Sequence, residues 1–351
     1  MDIGWMASLV LQITAPRSHT RHVAPPLDLP RVHLGRMANV LAHALTGKRR
    51  DAKVSASVIP NAAASTTGAR MRSLTAINDT SRRLVSLAVT FCLALFMWHH
   101  APACASEQVV SVPLADNASI AYLLTQKDGS QPAWVLVMFP GGDGALELAQ
   151  TSDGAISLRL KNNFLVRART LLVDDRFATA VVDAPSDQPG GYSDSFRASA
   201  RHAQDIAKVT TDLHARFPKA KLVLVGTSRG TISSAYLGRA LPDIWDAVVH
   251  TSTLSSPARG QAMPLAGFNY EEIRARQLFV HHVDDGCFLC SFSAAKRIAD
   301  NGHDLIAVSG GSARGNPCEA MGHHGFYGQD EAVVAAIKAW ISGAEWPKEV
   351  N

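Results

Sequence analysis

An α/β architecture, with a mostly parallel central sheet covered by helices on both faces, is what this sequence predicts, and three observations predict it. From about residue 108 onward, short β-branched runs alternate with helical patterns, the signature of a parallel sheet wrapped by its own connections. Ala133 to Phe139 and Ala178 to Asp183 are near-continuous apolar runs rather than alternating ones, as strands buried on both faces must be. Lys221 to Val225 is a third such run, and it leads directly into a glycine-flanked turn followed by a helical segment. With 47% of 351 residues apolar, the chain has ample material for a buried core.

The elements follow in order. Gln108 to Pro113 and Ser119 to Thr125, joined around Asp116-Asn117, read as an opening antiparallel pair. After the strand Ala133 to Phe139, a helix is expected over Phe164 to Arg176 and a strand over Ala178 to Asp183. Arg197 to Phe217 places Ile206, Val209, Leu213 and Phe217 at helical spacing, and Pro218 stops it. A helix over about 229 to 240 is then followed by strands at Ala247 to Thr251 and Leu278 to His282. The chain closes with a helix at Ser293 to Asn301, a strand at Leu305 to Ser309 and a helix at Asp330 to Ser342. The loops Gln188 to Phe196 and Ser252 to Tyr270 are long enough to shape or overhang a site.

Charge divides the chain into unlike parts. Residues 1 to 105 hold 12 Lys and Arg against 4 Asp and Glu, and residues 106 to 351 hold 22 against 26. The basic character therefore belongs to the leader, and the remainder has no basic stripe that would mark a nucleic-acid partner. Residues 71 to 105 read as an export signal: Arg72, Arg82 and Arg83 precede the apolar run Leu84 to Trp98, and Ala103-Cys104-Ala105 forms a small-residue cleavage site. The 15-residue run is shorter than the ~20 residues a membrane span requires, so cleavage before Ser106 and no stable membrane insertion are expected. Ser81-Arg82-Arg83-Leu84 also resembles a twin-arginine signal. Residues 1 to 70, rich in Ala, Arg, Ser and Pro, read as a disordered extension or as sequence upstream of a true start at Met71; an organellar transit peptide is the competing reading. Residues 106 to 351 read as one domain.

Gly226-Thr227-Ser228-Arg229-Gly230 has the form G-x-S-x-G, and its place between a strand and a helix carries more weight than its letters. A sharp, strained turn there lifts the serine hydroxyl above the sheet, and flanking glycines let the backbone approach closely. A hydroxyl attacks a carbonyl at neutral pH only with a base and a group that orients the base. Asp284 and Asp285 follow the strand Leu278 to His282, and His323 and His324 stand just before the last helix. All of these positions fall at strand ends, where open α/β sheets place their sites.

These motifs, together with Phe139-Pro140-Gly141-Gly142-Asp143-Gly144, His282-Val283-Asp284-Asp285 and His324-Gly325-Phe326, make residues 106 to 351 resemble the α/β-hydrolase superfamily. The resemblance implies a serine hydrolase of the esterase or lipase kind, acting through an acyl-enzyme on a small-molecule carboxylic ester, with a thioester or an amide as the alternative bond. It implies Ser228 as nucleophile, Asp285 as acid and His324 as base, with the N–H groups of Gly142 and Arg229 as the oxyanion hole. Nothing in the sequence indicates a cofactor or a metal. His282 stands where many members have a small residue, and Pro140 where many lipases have His. Among the cysteines, Cys287 lies two residues past the acid and Cys318 six before the base, so a disulfide between them, leaving Cys290 free, would tie the two loops together. Two other readings compete: a non-catalytic binding protein on the same scaffold, and a thiol redox protein using Cys287 and Cys290.

Overall fold

The computed structural model describes residues 105–256 and 265–351. The extension at 1 to 70 and all of the expected export segment except its last residue, Ala105, lie outside the described residues. Among the described residues no helix is long and apolar enough to cross a membrane.

The described residues form a nine-stranded sheet. Its first two strands, β1 (Ala105–Pro113) and β2 (Ser119–Lys127), pair antiparallel along their whole length, with Val110 opposite Tyr122. Asp116 and Asn117 both take positive φ (54° and 59°) to close the turn between them, a conformation that Asp and Asn tolerate better than most residues. Then come β3 (Trp134–Phe139), β4 (Ala149–Gln150), β5 (Ile156–Ser157), β6 (Phe177–Val182), β7 (Lys221–Thr227), β8 (Trp245–Thr251), β9 (Arg276–His282), β10 (Asp304–Val308) and β11 (Glu349–Val350). The spatial order is β1-β2-β6-β3-β7-β8-β9-β10-β11, with β4 and β5 apart as a small hairpin. β2 meets β6 antiparallel, and every pairing from β6 to β11 is parallel.

Alternation along the strands feeds two apolar layers. Val135, Val137 and Phe139 of β3 face one layer, shared with Ile206, Val209 and Leu213 of helix α3 (Ala200–Arg216) and Ile232 and Ala235 of helix α4 (Gly230–Ala240). Leu136 and Met138 face the other, with Phe164, Leu165 and Ala168 of α1 (Phe164–Leu172) and Val333, Ile337 and Trp340 of α6 (Asp330–Ser342). Helix α5 (Phe292–Ala299) joins the first layer through Ala299. The sheet is therefore covered on both faces, as expected.

The structure corrects several boundaries. The helix expected to run to Arg176 ends at Leu172, because the Asp174 side chain accepts the N–H groups of Arg176 and Phe177 and turns the chain into β6. The helix expected over Arg197 to Phe217 is α3, which begins only at Ala200, and Arg197 instead ends a separate one-turn helix, α2 (Asp194–Arg197). Ser199 divides them by capping α3, its hydroxyl accepting the His202 N–H at 3.2 Å. The hairpin β4–β5 and the last strand β11, each strand two residues long, are too short for any periodicity to announce.

Candidate active site

β7 lies mid-sheet and ends at Thr227, so the next residue must leave the sheet at once. Ser228 does so with φ of 53°, a left-handed conformation that costs a non-glycine residue roughly 1–2 kcal/mol. Its N–H is held by Thr251 O at the end of β8, 3.0 Å away. The glycines on either side are dictated by space. A Cβ on Gly226 would sit 2.4 Å from Gly230 O, and one on Gly230 would sit 2.0 Å from Phe139 O. Gly230→Ala is therefore expected to push α4 off β3 and to destabilise the fold by about 3 kcal/mol or more, read as a large fall in the denaturation midpoint. Near-native stability in that variant would contradict the packing described.

Asp285 and His324 come from the turns after β9 and β10. The carboxylate is buried completely, and His324 is 5% exposed. His324 Nδ1 stands 2.9 Å from Asp285 Oδ2, His281 Nε2 stands 3.3 Å from the same oxygen, and the Cys287 N–H donates to Oδ1 at 2.9 Å. Burial alone would raise the carboxyl pKa, but the hydrogen bonds from His281 and His324 overcome it and hold it down at about 2. An ionised Asp285 accepts at Oδ2, so His324 carries its proton on Nδ1, which leaves Nε2 unprotonated in the neutral ring.

The neighbours of this pair are disposed quite differently. Asp284 is exposed. His323 stacks on His282, with ring centroids 4.2 Å apart, and its Nδ1 lies 3.3 Å from the backbone oxygen of Asp284. His282, His323 and Asp284 bring possible ligand atoms within 4.8 Å of one another. Both His282 nitrogens are already engaged, however: Nε2 donates to Gly310 O at 2.9 Å and Nδ1 accepts the Asp284 N–H at 3.0 Å. A metal ion would have to displace those bonds.

Ser228 and His324 open on one cleft of about 430 Å³, which Gly141, Gly142, Leu160 and Asn163 also line. Among the described residues no hydrogen bond joins the Ser228 hydroxyl to His324, the looser arrangement such pairs often show before substrate is bound. The thiol of Cys290, whose pKa is raised first by burial and then by the charge of Asp285, lies beside that hydroxyl. Gly142 (φ 63°) sits exposed in the loop after β3. The Arg229 guanidinium pairs in bidentate fashion with Asp194, at 2.8 and 2.6 Å.

A mostly parallel sheet with an antiparallel edge, a strained serine turn after its middle strand, and an acid and a histidine after later strands decide the architecture. The fold is that of an α/β-hydrolase. No protein-family model matches the sequence, and no curated protein matches it. Among solved structures, the chain is similar to a dienelactone hydrolase from Anabaena variabilis, at 13% identity over 68% of this chain and 98% of that one, with a TM-score of 0.44. It is similar to Est1E from Butyrivibrio proteoclasticus, at 13% identity over 67% and 98%, with a TM-score of 0.46. It is also similar to an α/β serine hydrolase without lid from Xanthomonas campestris, at 13% identity over 68% and 94%, with a TM-score of 0.45.

A disulfide joins Cys287 to Cys318, and Cys290 is a buried free thiol. The C-x-x-C pair therefore presents no dithiol, and Cys287 has no thiolate to offer a metal beside Cys290 and His324. Cys318 lines the cleft and Cys287 holds Asp285 through its N–H, so the bridge ties one cleft wall to the acid turn. Replacing Cys318 with Ser is expected to remove about 3–4 kcal/mol for a bridge spanning 31 residues. Activity should fall at temperatures well below the new melting point, because the cleft wall loosens first. Peptide mapping without reductant that links Cys290 to Cys318 would overturn the pairing.

His281, beside Asp285, is a neighbour of the site that sequence reasoning misses, and Cys290, expected as a free thiol, lies beside Ser228 rather than in a redox pair. The only signal was proximity in sequence to Asp285, since strand alternation leaves His281 facing away from His282. Of the loops expected to overhang the cleft, Ser252 to Tyr270 is described at its ends alone; Ser255 and Ser256 donate their N–H groups to Leu289 O, and residues 257–264 lie outside the described residues.

Proposed function

We propose that this protein is a serine hydrolase that cleaves a carboxylic ester of a small molecule through an acyl-enzyme on Ser228. The observation that carries this reading is the strained Ser228 sharing a cleft with His324, whose Nδ1 is 2.9 Å from the buried, ionised Asp285. In the reaction the Ser228 oxygen attacks the ester carbonyl and His324 Nε2 takes its proton. Collapse of the tetrahedral intermediate expels the alcohol, which receives that proton from His324. Water, deprotonated by the same nitrogen, then releases the acid and restores the serine. Asp285 keeps the imidazole in the right tautomer and stabilises the imidazolium. The N–H groups of Gly142 and Arg229 receive the oxyanion, each donor worth around 3 kcal/mol in the transition state. No step calls for a cofactor or metal.

A fluorophosphonate probe tests the reading, because it phosphonylates an activated serine and neither a binding protein nor a thiol redox protein. Labelling is expected on the peptide that holds Ser228, and a folded wild-type protein that resists the probe would end the proposal. A panel of p-nitrophenyl esters then ranks acyl chain lengths. The domain is proposed to act outside the cytoplasm, after cleavage before Ser106, which would leave β1 almost whole because that strand begins at Ala105. Mass spectrometry of the exported form is expected to find Ser106 at its N-terminus, and an intact Leu84 to Trp98 segment would refute the export reading.

A further inference from the structure

The four-residue helix α2 carries two charged side chains that reach the two halves of the proposed oxyanion hole. Asp194 forms the bidentate pair with Arg229, the residue after Ser228. Arg197 reaches the loop after β3: its Nη2 donates to Pro140 O at 3.1 Å and to Gly142 O at 3.4 Å, and its Nη1 donates to Ser233 Oγ at 2.9 Å. The guanidinium lies 4.6 Å from the centre of the Tyr192 ring. Arg197 is 0% exposed, and among the described residues no carboxylate oxygen lies within 4.0 Å of it. Its Nε has no hydrogen-bond partner among the described residues.

A buried cation with no carboxylate in contact, only the more distant charges of Asp194 and Asp143, is costly for a fold to hold, and an apolar side chain would fill the same space. The carbonyls of the 140–143 loop are what the guanidinium engages, so its effect is on that loop. A trans peptide points its C=O and its N–H in opposite directions. Arg197 fixes the peptide planes that begin at Pro140 and at Gly142, and Gly144 N–H holds Gly141 O at 3.2 Å in the plane between them. That middle plane carries the Gly142 N–H, which meets no acceptor among the described residues and lies at the cleft. Arg197 also packs so closely on the loop that a Cβ on Gly144 would stand 2.4 Å from Nη2.

We propose that α2 is a clamp on the oxyanion hole, in which Arg197 positions the Gly142 N–H and Asp194 positions the Arg229 backbone. The clamp rests on the serine hydrolase reading and adds to it a residue that touches no substrate. Burial lowers the Arg197 pKa to about 10, so the side chain stays cationic at neutral pH and sets positive charge behind the loop where negative charge develops in the transition state.

The test is the rate of fluorophosphonate labelling together with ester kinetics in Arg197→Met, Arg197→Lys and Asp194→Asn, each first shown to be folded by its melting curve. Arg197→Met is expected to lower the labelling rate and kcat by about 10- to 100-fold, with KM within about twofold. Affinity for an alkyl boronic acid, which mimics the tetrahedral state, should fall in parallel, while inhibition by the product alcohol stays unchanged. A merely structural role would not produce that split. Arg197→Lys keeps the charge but cannot span both carbonyls and Ser233, so it should fall between wild type and Arg197→Met, and it carries the test if the Met variant does not fold. Asp194→Asn should show the same split more weakly. Folded Arg197 variants that label as fast as wild type, or that lose boronic acid and alcohol binding alike, overturn the clamp alone. Failure of the wild type to label overturns the hydrolase reading, and the clamp with it.

Discussion

Ser228→Ala is expected to lower kcat by about 10⁴ to 10⁶ while leaving the fold and the melting temperature almost unchanged. The size follows from the chemistry: without the oxygen there is no acyl-enzyme, and what survives is the polarisation of a bound ester by the Gly142 and Arg229 N–H groups. The stability should hold because alanine removes only a hydroxyl and keeps a Cβ where Ser228 already has one. Relief of strain is not expected, since Ala is no more at ease at a φ of 53° than Ser. His324→Ala should fall in the same range, and the double variant should cost little more than either single one, because the groups act on the same proton. Steady-state kinetics on the best p-nitrophenyl ester measures all three. Near-normal turnover by a folded Ser228→Ala protein would mean that the nucleophile lies elsewhere.

What the sequence could and could not reveal about this molecule follows from how locally each feature is encoded. The buried strands were legible because a strand covered on both faces is apolar along most of its length, as β3, β6 and β7 are. The serine turn was legible because two steric needs, at Gly226 and Gly230, fall within five residues. The break between α2 and α3 was not, since Ser199 interrupts a pattern that otherwise reads as continuous helix. Arg197 was placed at the start of that helix as one more charged residue, and nothing in periodicity tells that a charge will be wholly buried. Its partners are the carbonyls of Pro140 and Gly142 and the hydroxyl of Ser233, supplied by three-dimensional neighbours. His281 carries no local sign of its place for the same reason, and Cys290, legible as the free cysteine, carries none of its position beside Ser228.

Asp285→Asn is expected to lower kcat by about 10⁴, and Asp284→Asn to change it little. Two adjacent aspartates make this a sharp contrast, because β9 delivers only one of them to the interior. The Asp285 carboxylate is wholly buried and accepts from His281, His324 and the Cys287 N–H, whereas Asp284 is exposed. An amide at 285 is nearly the same shape, but an NH₂ turned toward His324 would favour the tautomer with its proton on Nε2, which has no lone pair left to take a proton from Ser228. The same change also has a signature in stability. The folded pKa of Asp285 is held at about 2, below the ordinary value of 3.8. A depressed carboxyl stabilises the fold fully above the unfolded value and loses that contribution as pH falls through the folded one. Wild type should therefore lose stability between about pH 4 and pH 2 partly through this group, and Asp285→Asn should show a shallower decline across that interval while being less stable at neutral pH. Melting curves from pH 2 to pH 7 on wild type and both variants would show it. If Asp284→Asn proved to be the variant that lost activity and flattened the acid limb, the acid would have to be reassigned, and the contacts of Asp285 with His324 and His281 would then serve structure rather than catalysis.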